Sequence, residues 1–253
     1  METLGRLSGL KSMIAFLTVI PVGKTSRGIN EFTRVWFLSP LIGVFIGALA
    51  GLVAWASLMV LPILVVGPLA VGVIILITGA HHLDGLLDFG DALMVHGPPE
   101  RKIEVMHDRS LGAGGFALGL FVTILTIASV VTLTPNFMVQ GLIVSEVSAK
   151  LSMVAASRFG KTDHEGTGSV VVKAMHETNG NIKLIAAFII SMVIGGIIAN
   201  YAGLLAVSSS IICALVMTAI ADKQFRGITG DVFGATNEIS RTVSLLTLLA
   251  VIR

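Results

Sequence analysis

Charge is what this chain has least of. Only 13% of its 253 residues are Asp, Glu, Lys or Arg, about half the roughly 25% of an ordinary soluble domain. A surface wetted on all sides cannot be built from that supply. With 54% hydrophobic residues and a mean hydropathy of +0.92, much of the outside must face lipid. Cysteine is nearly absent as well. Cys213 stands alone inside an apolar run, which excludes a disulfide framework and a cysteine zinc site and reads as a small buried hydrophobe. No run of Lys or Arg invites nucleic acid, and a net charge of +2 selects no partner. No polar block is long enough for a second core, so residues 1–253 read as one membrane-embedded domain.

Near the start, Arg6 and Lys11 precede a short apolar stretch, Met13 to Val22. Pro21 and Lys24 follow it where the small residues of a leader cleavage site would stand. The stretch is expected to persist as an interfacial or re-entrant helix.

A crossing helix needs about 20 mostly apolar residues. No charge occurs between Arg34 and Asp84, between Ser110 and Ser145, or between Leu184 and Ala221. These stretches predict spans near 36–57, 61–80, 113–133 and 137–157, and two more on either side of a turn at Asn200–Gly203. A last segment covers 238–252. The expectation is an all-α polytopic bundle of about seven transmembrane helices plus the N-terminal helix. In this layout the basic residues, Arg241 included, gather on one face; only Lys150, within a span, and Arg253, at the terminus, stand apart. Positive residues mark the cytoplasmic side, so the polar segments 81–112, 158–183 and 222–241 are expected on the cytoplasmic face of a cytoplasmic (inner) membrane. Such one-sidedness suits an enzyme of cytosolic substrates better than a transporter.

The chemistry concentrates in those segments. Asp84, Asp88 and Asp91 follow one another at spacings of four and three, which on a helix puts them within an arc of roughly 60°. His81 lies close to the same stripe. Three carboxylates on one stripe repel unless a cation sits among them, and the nearest basic residue in sequence is Arg101. Hard oxygen ligands suit magnesium, manganese or calcium. Pro98 and Pro99 then open a helix on which Glu104 and Asp108 share a side with Arg101; an amphipathic surface helix would look the same. Arg109, Ser110 and Gly112 to Gly115 lead into the next span, where backbone amides can hold phosphate or glycines can simply pack closely. Asp231 and Glu238, seven apart, share a helix face. Residues 158–183 hold Arg158, Lys161, His164, Lys173 and His176 and read either as a cover over an anionic substrate or as a disordered loop. Glu146 and Lys150 form an i,i+4 ion pair within a span.

The segments H-L-D-G-L-L-D-F-G-D-A (82–92), I-E-V-M-H-D-R-S-L-G (103–112) and T-G-D-V-F-G-A-T-N-E (229–238) resemble the signatures of the cobalamin synthase family of adenosylcobinamide-GDP ribazoletransferases. F-L-T-V-I-P-V (16–22) and S-P-L-I-G-V-F-I-G (39–47) match that family's opening, in the same order. One departure is His107, where the family more often has Lys. The resemblance implies that adenosylcobinamide-GDP reacts with α-ribazole or its 5′-phosphate, releasing GMP, with magnesium required and manganese as the alternative. It implies Asp84, Asp88, Asp91 and Asp231 as metal ligands. By analogy with the D-x-x-D…D-x-x-x-D pattern of CDP-alcohol phosphotransferases, Asp108 would be the general base and Glu104 a further ligand. Arg101, Arg109 and Arg158 would pair with the pyrophosphate, and His81, Ser110, Gly112 and Glu238 complete the expected substrate contacts. Two alternatives stand beside it: a CDP-alcohol phosphotransferase, whose Asp-Gly and Ala-Arg are missing after Asp91, and an ion-coupled transporter, for which no inverted repeat is visible. A homo-oligomer is left open.

Overall fold

The computed structural model describes residues 2–22, 31–177 and 179–252, with side chains from residue 8 onward. Lys24, Arg27 and Arg253 fall outside them. The described chain is helical throughout its named elements, in the order α1 (Glu2–Leu17), α2 (Phe32–Val35), α3 (Ser39–Ser57), α4 (Ile63–Ile77), α5 (His81–Met94), α6 (Pro99–Met106), α7 (Ala113–Thr132), α8 (Met138–Phe159), α9 (Thr167–His176), α10 (Gly180–Phe225) and α11 (Gly230–Ile252). This is the all-α membrane bundle expected from the apolar runs.

Helix α8 is its axis. Almost every residue from Gly141 to Ser157 is buried, whichever way it points, because α3, α10 and α11 surround it. Glycines let α3 come that close. Gly43, Gly47 and Gly51 recur every fourth residue, and a Cβ on any of them would run into α8 at Glu146–Val147, Leu142–Ile143 or Val139. This is small-residue packing of the kind that holds helices together in lipid, where burial from water gives no drive. The outward side is apolar instead: Ile182, Ile185, Ile189, Val193 and Ile197 of α10 are all exposed.

Four helical stretches among the described residues are long and apolar enough to cross a membrane, or five if α4 and α5 form one bent span. The chain is therefore a multi-pass membrane protein, but seven crossings is more than these criteria return. Helix α4 has 15 residues, about 22 Å of helix against a hydrocarbon core of ~30 Å. Helix α11 is long enough, but Asp231, Glu238 and Arg241 interrupt its apolar run. The anticipated turn after residue 199 is present. Helix α10 breaks at Ala199 and Asn200, the latter at φ 50°, and Gly195 meets Gly203 where the chain folds back.

The N-terminal helix sits earlier than the apolar stretch suggests. It ends at Leu17, where the Thr18 hydroxyl donates to the Ile14 carbonyl at 2.7 Å, and Val19 N–H then donates to Ile77 O at 2.8 Å. The chain leaving this helix is thus tied to the end of α4 at Val19. Arg241 is a second correction. It is 1% exposed inside the bundle, where the membrane-face layout had placed it with the surface cations.

Candidate active site

Helices α5 and α11 form the site by crossing at their N-terminal ends. Helix α4 stops at Thr78, whose hydroxyl donates back to Ile74 O, and Gly79 (φ 63°) and Ala80 (φ 59°) are both left-handed. That pair of residues turns the chain so that α5 leaves α4 at 95°. Helix α11 begins at Thr229, whose Oγ1 accepts from the Val232 amide at 3.2 Å. Asp231 therefore sits in a first turn, where the helix dipole favours an anion.

Two glycines set the crossing distance. A Cβ on Gly85 would lie 2.9 Å from the Asp231 backbone, and one on Gly234 2.9 Å from the His82 carbonyl. Bare backbone at both points brings Asp84 and Asp88 of α5 alongside Asp231 of α11. The consequence is electrostatic. Burial, and then the charges of Asp231, Asp84 and Asp91, push the Asp88 carboxyl up to about 7.

Beside the crossing lies a cavity of about 370 Å³, lined by His81, His82 and Asp84 of α5, Gly230, Asp231, Phe233 and Gly234 of α11, and residues of α1, α8 and α9. It joins His81, Asp84 and Asp231 of the residues expected from sequence. Asp88 reaches the same group through its charge interactions.

The other expected residues are placed elsewhere. Both Asp91 oxygens accept backbone amides of the α7 start, from Gly112 and Gly115, each at 2.7 Å. Asp91 is a capping residue for α7, and the Gly112 amide is already committed to it rather than to phosphate. Arg101 and Glu104 pair at 2.9 Å with side chains 61% and 66% exposed. Asp108 is exposed; hydrogen bonds from the Ser110 amide (3.0 Å) and hydroxyl (2.8 Å) hold its carboxyl below the usual carboxylate range. Arg109 is exposed. His107, at the end of α6, is near enough to Asp231 to act on it electrostatically. Arg158 donates to Asn181 at 2.8 Å and does not line the cavity.

Residues 160–177 are an ordered segment, not a loose loop. His164 bonds the Phe225 carbonyl at 2.7 Å and His176 the Gly160 carbonyl at 2.8 Å, and Thr162 bridges to Gly227. Both imidazoles are spent on holding the segment down. Thr167 and Gly168 at the start of α9 line the cavity.

Glu238 belongs to a different assembly. Arg241 donates to Glu238 and to Glu146, Lys150 donates to Glu146 at 3.1 Å and to Asn237 at 2.7 Å, and Asn237 donates to Glu238 at 3.1 Å. Two anions and two cations are buried together between α8 and α11. The i,i+4 spacing revealed the Glu146–Lys150 half; nothing local in sequence could tie it to residues some 90 positions away. His82, Phe16, Met153 and Phe233 were missed for the same reason, since an apolar or lone His residue carries no signal until the helices pack.

Magnesium, implied by the family pattern, can be tested against these residues. Among the described residues, no three His, Cys, Asp or Glu side chains stand close enough to enclose an ion. The donor chemistry nevertheless fits a hard divalent cation: Asp84, Asp88 and Asp231 offer only oxygen, carry one sign and repel one another as they stand.

A family model for cobalamin-5-phosphate synthase matches residues 9–249. The chain is 32% identical to an adenosylcobinamide-GDP ribazoletransferase of Methanococcoides burtonii, over 98% of this chain and 94% of that one. It is 35% identical to the enzyme of that name from Methanocella arvoryzae, over 94% of each, and 30% identical to one from Clostridium novyi, over 96% and 97%. No solved structure matches.

Proposed function

This chain belongs to the cobalamin-5-phosphate synthase family, and from that premise we propose that it is an adenosylcobinamide-GDP ribazoletransferase working at the cytoplasmic face of its membrane. A ribose hydroxyl oxygen that is free both in α-ribazole and in its 5′-phosphate would form the new bond to the cobinamide-bearing phosphorus, so that a 5′-phosphate, where present, is retained in the product. The bond from that phosphorus to the GMP oxygen breaks, GMP leaves, and the acceptor's proton passes to a base.

The observation that carries this reading is the α5–α11 crossing, where Asp84 and Asp231 border a cavity of about 370 Å³ and Asp88 lies within reach of their charges. Phosphoryl transfer asks a protein chiefly for charge neutralisation and positioning. Asp84, Asp88 and Asp231 would hold magnesium, which when bound neutralises phosphate charge. The mutual repulsion of those carboxylates favours any cation that enters. Asp108 is ionised and open to solvent next to His107, and as base it would take the acceptor proton at a carboxylate oxygen. Arg101 and Arg109, exposed on the same α6–α7 stretch, are free of the membrane interior and are assigned to the pyrophosphate.

GMP release by the purified protein in detergent tests the proposal. Release should require adenosylcobinamide-GDP, α-ribazole and magnesium together, and stop with chelator. A folded protein that releases no GMP with any α-ribazole form would refute it.

A further inference from the structure

Part of the cavity lining is apolar. Ala15, Phe16, Met153 and Phe233 contribute to it, and of these only the Met153 thioether can accept a hydrogen bond, weakly. Phe16 stacks on Phe32 with ring centroids 5.0 Å apart and meets Trp36 edge-on at 6.2 Å; Trp36 in turn lies 6.3 Å from Phe233. Trp36 is fully buried and its indole N–H donates to Ser157 at 3.2 Å, so the aromatic group is anchored to α8 and presents a stiff wall. His81, His82 and Thr167 add polar side chains to the same lining, and His82 stands out among them. His82 lines the cavity, is 6% exposed, and its Nδ1 has no hydrogen-bond partner among the described residues. A buried polar atom left unpaired is costly, and a partner supplied by a ligand would remove that cost.

We propose that this cavity is the acceptor subsite: the flat nitrogen heterocycle of α-ribazole lies against Phe16 and Phe233, His82 supplies its polar contact, and its ribose reaches toward Asp84 and Asp231. The proposal rests on the transferase reading above and specifies which substrate occupies which part of the site. Size and polarity both select this occupant. A volume of about 370 Å³ lies near the small end of ligand pockets and suits a nucleoside, whereas a corrin ring carrying a nucleotide is several times too large. A guanine edge, with its several donors and acceptors, would lose most of its hydrogen bonds against this wall. A fused heterocycle with a single free ring nitrogen would not, and aromatic stacking favours it. The corrin and GDP of the donor are then left to the open side of the crossing, beside α6.

The test separates the two substrates. Binding of α-ribazole alone, without donor, is followed by its intrinsic fluorescence, and KM for each substrate is then measured by GMP release. Ala15→Trp fills the cavity from an exposed position, and His82→Phe removes the polar contact while keeping a ring. Each should weaken α-ribazole binding and raise its KM by about tenfold, leaving KM for adenosylcobinamide-GDP within about twofold. His82→Asn, whose amide can stand near Nδ1, should recover most of the loss; a merely structural His82 would show no such recovery and would move both KM values. A rise confined to the donor KM, or no change in either, overturns the assignment while leaving the transferase reading intact. Absence of GMP release from wild type would instead sink the transferase reading.

Discussion

Two groups of charges lie at opposite ends of the same stretch of α11, and they are built on opposite rules. Around Glu238 and Arg241 every charge is matched: Glu146 and Glu238 against Lys150 and Arg241, all within a buried region. Around Asp231, two turns earlier, the carboxylates repel one another, and His107 acts on Asp231 from the end of α6. A charge that serves the fold must be neutralised by the fold, because the membrane interior offers nothing else. On the proposed reading, the carboxylates at the crossing are left for a ligand to neutralise. Helix α11 thus takes part in a matched group with α8 and in an unmatched one with α5, about 10 Å apart along its length.

Removing one member of each group should affect different observables. Arg241→Met leaves two buried carboxylates with only Lys150 between them, and should cost about 3–5 kcal/mol of stability, read as a large fall in thermal midpoint in detergent. If Arg241→Met melts with wild type, the matched group is not holding the bundle. Asp88→Asn should do the reverse, lowering kcat about 100-fold or more without loss of stability. Its pH behaviour gives a second check. The Asp88 carboxyl is raised to about 7 from 3.8, so the folded chain binds the proton more tightly than the unfolded chain. The resulting stabilisation is present at low pH and is lost as pH rises toward 7. The metal-free thermal midpoint should fall over that window in wild type and fall less in Asp88→Asn.

Between these extremes lies the crossing itself. Gly85→Ala puts a methyl group against the Asp231 backbone and should cost about 1–3 kcal/mol, with activity falling alongside stability as the two helices part. Activity lost at full stability would mean that the spacing matters only to the chemistry. The smallest effect belongs to Glu104→Gln. The Arg101–Glu104 pair is a surface salt bridge expected to contribute about 0–1 kcal/mol, so stability should hardly move; a large kcat loss would restore Glu104 to the metal site.

How much of this could be read from residues alone follows from what each signal depends on. Apolar run length and charge asymmetry are local, and the helical bundle and its turn near residue 200 were legible from them. The spacing Asp84-x-x-x-Asp88 is local too, and it put on one face two α5 carboxylates that the fold brings near Asp231. Asp91 shares that spacing but is taken by the amides of Gly112 and Gly115, a tertiary contact that periodicity cannot show. Arg241 looked like a membrane-face cation because a charge near a helix end is usually solvated; its two carboxylate partners come from α8 and from its own preceding turn. The apolar cavity wall draws on α1, α8 and α11, and no single segment announces it.

Manganese binding, followed by loss of the free-ion electron paramagnetic resonance signal, tests the central claim most directly. Wild type should bind the ion, Asp84→Asn, Asp88→Asn and Asp231→Asn should each lose most of that binding, and Asp91→Asn should keep it while losing stability at the start of α7. Undiminished binding in all three of the first variants, or loss confined to Asp91→Asn, would contradict the assignment of the α5–α11 crossing as the cation site.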